Sequence, residues 1–295
     1  MRVAVTGKKG QVAQSLLHLS ALGTAEVILI GRPELDLADP FSVKKAIEGA
    51  RPHVIISAAA YTAVDKAENE HGLALAINAV GAGAVAAAAR DLGIPIIHLS
   101  TDYVFDGSKQ APYLETDICS PSCVYGLTKL EGEKRVAVEN PNHIILRTSW
   151  IYSPFGYNFV KTMLRLSETN EVVRVVDDQR GCPTSALDLA AAILEIASRL
   201  HSDADGDLRG TFHLCGSGSI TWADFAEMIF SQSRRMGFKS VSVERIATTQ
   251  YPTPARRPPD SRLDCGKIAE IYGIQLPTWQ NSTEVTVEAI LRECI

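Results

Sequence analysis

Four short stretches near the start of the chain, residues 3–6, 27–30, 53–57 and 94–100, are continuous apolar runs rather than alternating ones. A strand that is apolar on both faces must be covered on both faces, which is the condition of a parallel sheet held between helices. The segments between the runs are long enough for crossover helices. Residues 72–90 are so rich in alanine that they predict a helix lying close on the sheet. A fifth strand is expected at 143–147, after a helix that begins near Val124, and a sixth at 172–176, before a helix over 187–200. The pattern predicts an α/β chain built on a doubly wound, mostly parallel sheet.

Past residue 200 the rhythm weakens. A strand-like 211–214 and a helix over 222–235 precede 250–259, a stretch so rich in proline and arginine that it cannot be a regular helix. The expected division is a sheet domain over 1–150, completed by 170–215, and a smaller lobe made mainly of 151–169 and 216–295. Such a lobe belongs over the carboxyl ends of the strands, where doubly wound folds bind ligands. A chain of 295 residues is long enough for both parts.

No run of eighteen apolar residues occurs and the chain enters a strand at once, so the expectation is a cytoplasmic protein without membrane span or signal peptide. The net charge of −5 offers no basic field for nucleic acid, although Arg256 and Arg257 could hold an anionic substrate locally. Cys119, Cys123, Cys182, Cys215, Cys265 and Cys294 form no CxxC pair and have no histidine at zinc spacing. They read as free thiols, and no metal is expected.

The first apolar run leads into Thr6-Gly7-Lys-Lys-Gly10-Gln11-Val12-Ala13. Gly7 supplies unusual backbone angles and Gly10 lets backbone N–H groups approach a pyrophosphate. The start of the following helix favours the pyrophosphate's negative charge, and Ala13 is small enough for close helix–strand packing. Placed between the first strand and first helix of a βαβ series, the turn marks a Rossmann-type dinucleotide site despite its Gly-x-x-Gly spacing.

Tyr125 and Lys129 lie four residues apart, hence on one face of a helix. The ammonium is expected to lower the phenol pKa towards neutrality and make Tyr125 a proton donor or acceptor. Tyr157 and Lys161 repeat the spacing, but only Tyr125 follows the strand end at Thr101 by one connection. Thr101 would there orient a substrate carbonyl towards Tyr125.

Beyond these, the chain contains Tyr61-Thr-Ala-Val64-Asp65-Lys-Ala-Glu68, Ser100-Thr-Asp-Tyr-Val-Phe-Asp-Gly107, Arg147-Thr-Ser-Trp150-Ile-Tyr152, Asp178-Gln-x-Gly-x-Pro-Thr184 and Arg257-Pro-x-x-Ser-Arg-Leu263. Together with the glycine turn and Tyr125-x-x-x-Lys129 they run from end to end, and the chain resembles the dTDP-4-dehydrorhamnose reductase family of extended short-chain dehydrogenases/reductases. The resemblance implies NAD(P)H-dependent reduction of the C4 ketone of dTDP-4-dehydro-β-L-rhamnose, a step in making a cell-surface sugar. It implies Thr101, Tyr125 and Lys129 as catalytic residues, with Asn78 holding a water in a proton relay. Gly7, Gly10, Gln11, Val12, Arg32, Asp36, Leu37, Ala58, Ala59, Ala60, Tyr125 and Lys129 would hold the cofactor. Val64, Asp65, Thr101, Tyr103, Trp150, Asn158 and Arg257 would hold the dTDP-sugar.

Two departures sharpen the reading. The first helix offers no carboxylate, which argues against the magnesium-bridged dimer of similar enzymes and leaves a homodimer of another kind open. Gly31 and Arg32 stand where an acidic residue would accept the ribose hydroxyls of NADH, so NADPH is the expected preference and NADH the weaker alternative. Two rival readings remain. One is a reductase or epimerase of another nucleotide sugar; the other is a non-catalytic regulatory subunit resembling the β subunit of methionine adenosyltransferase.

Overall fold

The computed structural model describes residues 1–21, 23, 25–203 and 206–292; Cys294 lies outside the described residues. The strands β1 (Arg2–Thr6), β2 (Glu26–Ile30), β3 (Val54–Ser57), β4 (Ile96–Thr101) and β5 (His143–Thr148) are all parallel. Gly210–His213 pairs with β5 as the outer strand, giving the order Gly210–His213, β5, β4, β3, β1, β2. The order reverses between β1 and β3, and a crevice opens above their carboxyl ends.

Alternate residues of each strand feed two separate cores, because successive side chains point to opposite faces. Val3, Val5, Ile56 and Ile97 pack against Val12 and Leu16 of α1 (Gln11–Ser20) and against Leu189, Ile193 and Ile196 of the helix Ala186–Ser202. Ala4, Ile55, Ile96 and Ile145 meet Val43 and Ile47 of the helix Pro40–Ala50, the alanine-rich helix Ala82–Asp91, and Val136. Each large aliphatic side chain so buried stabilises the fold by roughly 1.5–3 kcal/mol.

Among the described residues one helix, His71–Asp91, is long and apolar enough to cross a membrane by length and composition. Its alanine face instead lies on the sheet, with Ala82, Val85, Ala86 and Ala89 almost wholly covered. The helix is not regular throughout: Ala76–Gly81 is a π turn that carries Asn78, a feature the alanine pattern does not announce.

The strand Val172–Val176 is not part of the main sheet. It pairs in parallel with Ser242–Ile246 and lies in the C-terminal lobe. Its burial alternates along the strand, and Arg174 at its centre lies on the exposed face. Only Val173 and Val175 are buried, while Arg174 bonds Glu244 on the partner strand at 3.2 Å. Phe225, Ile229 and Phe230 of the helix Trp222–Arg235 close the buried side, with Val160, Leu164 and Val287 from neighbouring helices.

Candidate active site

At the end of β1 the backbone turns at Gly7 with φ +95°, and a side chain there would press to 3.3 Å from Ala59 Cβ. Thr6 Oγ1 accepts from Ala58 N and Ala59 N, both at 3.0 Å, which draws residues 58–60 beside the turn. Gly10 caps α1 without a side-chain bond, and a Cβ at this position would meet nothing within 4 Å. The helix thus presents its free N–H groups to open space, with no carboxylate in its first turn to oppose an anion.

A cleft of about 690 Å³ runs from Gly7, Gly10, Gln11 and Val12 past Ala58, Ala59 and Ala60 to Thr101, Tyr125 and Lys129. A second cleft of about 370 Å³ adjoins it, lined by Gly31, Arg32, Asp36 and Leu37 and sharing Gly7 and Ala59 with the first. The open cradle at Gly10 and the two joined clefts, one lined by Tyr125 and the other by Arg32, fit an extended dinucleotide.

Tyr125 stands in the first turn of the helix Val124–Glu139, and its half-buried phenol is a near neighbour of the Thr101 hydroxyl in the wall of the same cleft. Thr101 Oγ1 accepts from Tyr103 N at 3.2 Å and lies 3.1 Å from Asp102 Oδ1. The expectation that Lys129 lowers the phenol pKa does not hold here. Burial raises the Tyr125 pKa, and the Asp102 and Cys123 charges add to the effect. Lys129 Nζ is turned to other acceptors, the Leu99 carbonyl at 2.6 Å and His98 Nε2 at 3.3 Å. Burial in turn lowers Lys129 itself to about 8. Asp102 is also buried, and desolvation pushes its carboxyl up to about 7. Its Oδ2 has no hydrogen-bond partner among the described residues.

Asn78 lies behind the cleft. Its Oδ1 accepts from Tyr61 N at 2.7 Å, while Nδ2 donates to Tyr61 O at 3.2 Å and Thr128 Oγ1 at 3.1 Å. These bonds fasten the segment after β3 to the helix that carries Tyr125 and Lys129.

The residues expected to hold the sugar nucleotide fall into two groups. Val64, Tyr103 and Trp150 line the cleft. Asp65 and Arg257 pair with one another instead, Nη2 to Oδ2 at 2.8 Å and Nη1 to Oδ1 at 3.1 Å, and join the residue 253–257 strap to the segment after β3. Asn158 caps the helix Phe159–Thr169 through Lys161 N and donates to Gln11 Oε1 at 3.0 Å. Gln11 thereby ties the glycine turn to the loop beyond β5.

Trp150 has φ +46°, a conformation that a bulky side chain adopts only when its surroundings impose it. One such constraint is Gly181, where a Cβ would fall 2.3 Å from the Trp150 ring. The other is Trp222, stacked on Trp150 with ring centroids 3.4 Å apart and planes 6° from parallel. Trp222 lines the same cleft and is absent from the sequence-derived set. Its partner lies 72 positions earlier in the chain, a pairing no spacing rule reveals. Asp102 and His98 were also missed, although a polar residue inside a continuous apolar strand is itself a signal in the case of His98.

Residues 1–292 match the RmlD substrate binding domain family. The chain is 53% identical over 293 residues to a dTDP-4-dehydrorhamnose reductase of Sinorhizobium fredii, covering 99% of both chains. It is similar to the crystal structure of a Clostridium acetobutylicum dTDP-4-dehydrorhamnose reductase at TM-score 0.91 and 37% identity, covering 99% of this chain and 100% of that one. A Bacillus anthracis dTDP-4-dehydrorhamnose reductase solved in complex with NADP gives TM-score 0.90 and 35% identity, over 98% of this chain and 99% of that one. With the glycine cradle, the Thr101–Tyr125 pair and end-to-end similarity in agreement, the chain belongs to the dTDP-4-dehydrorhamnose reductase family.

Proposed function

We propose that this protein is a cytoplasmic, NADPH-dependent reductase that converts the C4 ketone of dTDP-4-dehydro-β-L-rhamnose to the alcohol of dTDP-β-L-rhamnose. The observation that carries the reading is the placement of the Tyr125 phenol beside Thr101 and Lys129 at the inner end of a dinucleotide-shaped cleft. When bound, the nicotinamide supplies the hydride that reaches C4.

The chain's own residues supply the rest. Burial keeps Tyr125 protonated at neutral pH, the form in which a general acid can donate to an alkoxide developing at O4. Thr101 is placed to hydrogen-bond the same oxygen and orient the ketone. Lys129, at the floor of the cleft, would hold the ribose next to the nicotinamide and present positive charge to the reacting oxygens. Asn78 fixes the loop and helix around them. Gly10 and the start of α1 would take the pyrophosphate, with Arg32 taking the 2′-phosphate.

On the sugar side, Trp150 and Tyr103 provide apolar walls, and Val64 closes the cleft near the Asp65–Arg257 pair. The relatives named for this activity and the relative solved with NADP support the same assignment. The decisive measurement mixes the purified protein, NADPH and dTDP-4-dehydrorhamnose and follows loss of the reduced nicotinamide absorbance. Turnover of this sugar well above that of other dTDP- and UDP-linked ketosugars is expected. No turnover, or faster turnover of another nucleotide sugar, would overturn the assignment.

A further inference from the structure

Strand β4 buries an imidazole directly beneath the catalytic floor. His98 is 1% exposed, and its Nε2 lies 3.3 Å from Lys129 Nζ. On the opposite side its Nδ1 lies 3.2 Å from Ser57 Oγ on β3. Lys129 is itself only 2% exposed, so its ammonium depends on protein acceptors to replace water. The described contacts supply two, the Leu99 carbonyl at 2.6 Å and the His98 imidazole.

We propose that His98 is a positioning residue whose neutral imidazole accepts a hydrogen bond from Lys129 and holds that ammonium charged at the floor of the cleft. The proposal rests on the reading of Lys129 as an active-site residue.

The surroundings fix the imidazole in the required form. Burial drives its pKa well below the usual value, with the charges of Lys129 on the adjacent helix and His143 on β5 acting in the same direction. A neutral ring with Nδ1–H donated to Ser57 has its Nε2 lone pair free for Lys129. From β3 the facing group is the Ser57 hydroxyl. On the helix, Glu133 lies one turn beyond Lys129 and favours its charge, although Arg147 and Ser100 bind the same carboxylate at 2.7 and 2.5 Å. Because Ser57 is 1% exposed, the string Ser57–His98–Lys129 ends inside the core. It therefore positions a charge and offers no exit for a proton.

Losing the acceptor should make the ammonium harder to keep. The test records kcat and NADPH affinity from pH 6 to 10 for the native enzyme, His98→Leu and His98→Gln, with thermal unfolding in parallel. In His98→Leu the alkaline limb of both profiles should move down by about one pH unit, the scale of one hydrogen bond to a charged group. That corresponds to roughly a tenfold loss of kcat above the limb and a much smaller loss at pH 6. His98→Gln, which returns an acceptor oxygen, should restore the limb. A loss equal at every pH, or a folded His98→Leu enzyme with an unmoved limb, would overturn the proposal. If His98→Leu does not fold, Ser57→Ala replaces it: releasing the Nδ1 partner should move the limb the same way by less, and an unmoved limb counts against the proposal. Lys129→Met separates the two layers. Undiminished kcat in that variant refutes the role of Lys129 and His98 together, whereas a loss there beside an unmoved limb in His98→Leu refutes His98 alone.

Discussion

Tyr125-x-x-x-Lys129 and Tyr157-x-x-x-Lys161 have the same spacing and opposite surroundings. Tyr125 lies inside the first turn of its helix, and its half-buried phenol lies beside Thr101 at a strand end. Tyr157 precedes the Asn158 cap of its helix and is 95% exposed, although it stands at the rim of the same cleft. Lys129 is held by two buried acceptors, whereas Lys161 Nζ donates to the carbonyl of Pro154 in a surface loop. Spacing alone is therefore not chemistry. The pair that can move a proton is the one that the sheet places under a cleft and strips of water.

The largest test of that contrast is the pair Tyr125→Phe and Tyr157→Phe. Losing the general acid should lower kcat about 10²–10⁴-fold with NADPH binding close to native, and the exposed tyrosine should matter less than about twofold. Comparable losses in the two variants, measured by NADPH oxidation, would break the comparison.

A second test uses the desolvation around Tyr125, which has no counterpart at Tyr157. Asp102 has its folded pKa raised from 3.8 to about 7. The protonated acid therefore favours the native state below about pH 4, and this contribution is lost as pH rises through about 7. Asp102→Asn removes the dependence. Its stability relative to the native protein should grow between pH 5 and pH 9 by on the order of 3 kcal/mol, at about 1.4 kcal/mol per pKa unit. Thermal unfolding at the two pH values checks this, and a gap that stays constant would show that Asp102 ionises freely.

Arg32 limits the lesson, since it is exposed like Tyr157 yet lines the second cleft. A ligand that brings its own phosphate can make such a residue count. A charge-assisted hydrogen bond is worth about 1.5–3 kcal/mol, so Arg32→Ala should lower kcat/KM for NADPH about ten- to a hundredfold and leave NADH nearly unchanged. Equal losses for the two cofactors would show that Arg32 does not read the 2′-phosphate. The smallest expected effect is that of chelation. In the proposed mechanism Tyr125 and Thr101 polarise the ketone, and among the described residues no group of three or more metal-binding side chains gathers anywhere. Prolonged treatment with EDTA should leave the rate unchanged, and a loss reversed by magnesium would contradict this.

Much of the frame was legible because it is local. Continuous apolar runs announced β1 to β4, a fifth strand was expected at 143–147, and the helix bearing Tyr125 was expected to begin near Val124. Gly7 announced a turn that its φ of +95° demands. The strand at 172–176 was found but misassigned, although Arg174 at its centre was the available warning. The π turn at Asn78 was invisible, since alanine favours helix without specifying which carbonyl each N–H will meet.

The sequence by itself determined the βαβ order, the glycine cradle and the pairing of a tyrosine with a lysine on one helical face, because each depends on neighbours within a few residues. Only the tertiary structure decided which tyrosine is largely shielded from water, that Lys129 faces His98, and that Trp222 stacks on Trp150. It also decided that Asp65 and Arg257, 192 residues apart, neutralise each other. These outcomes depend on which surfaces meet after the chain has closed, and the pKa of each group follows from the water excluded at that meeting rather than from its place in the chain.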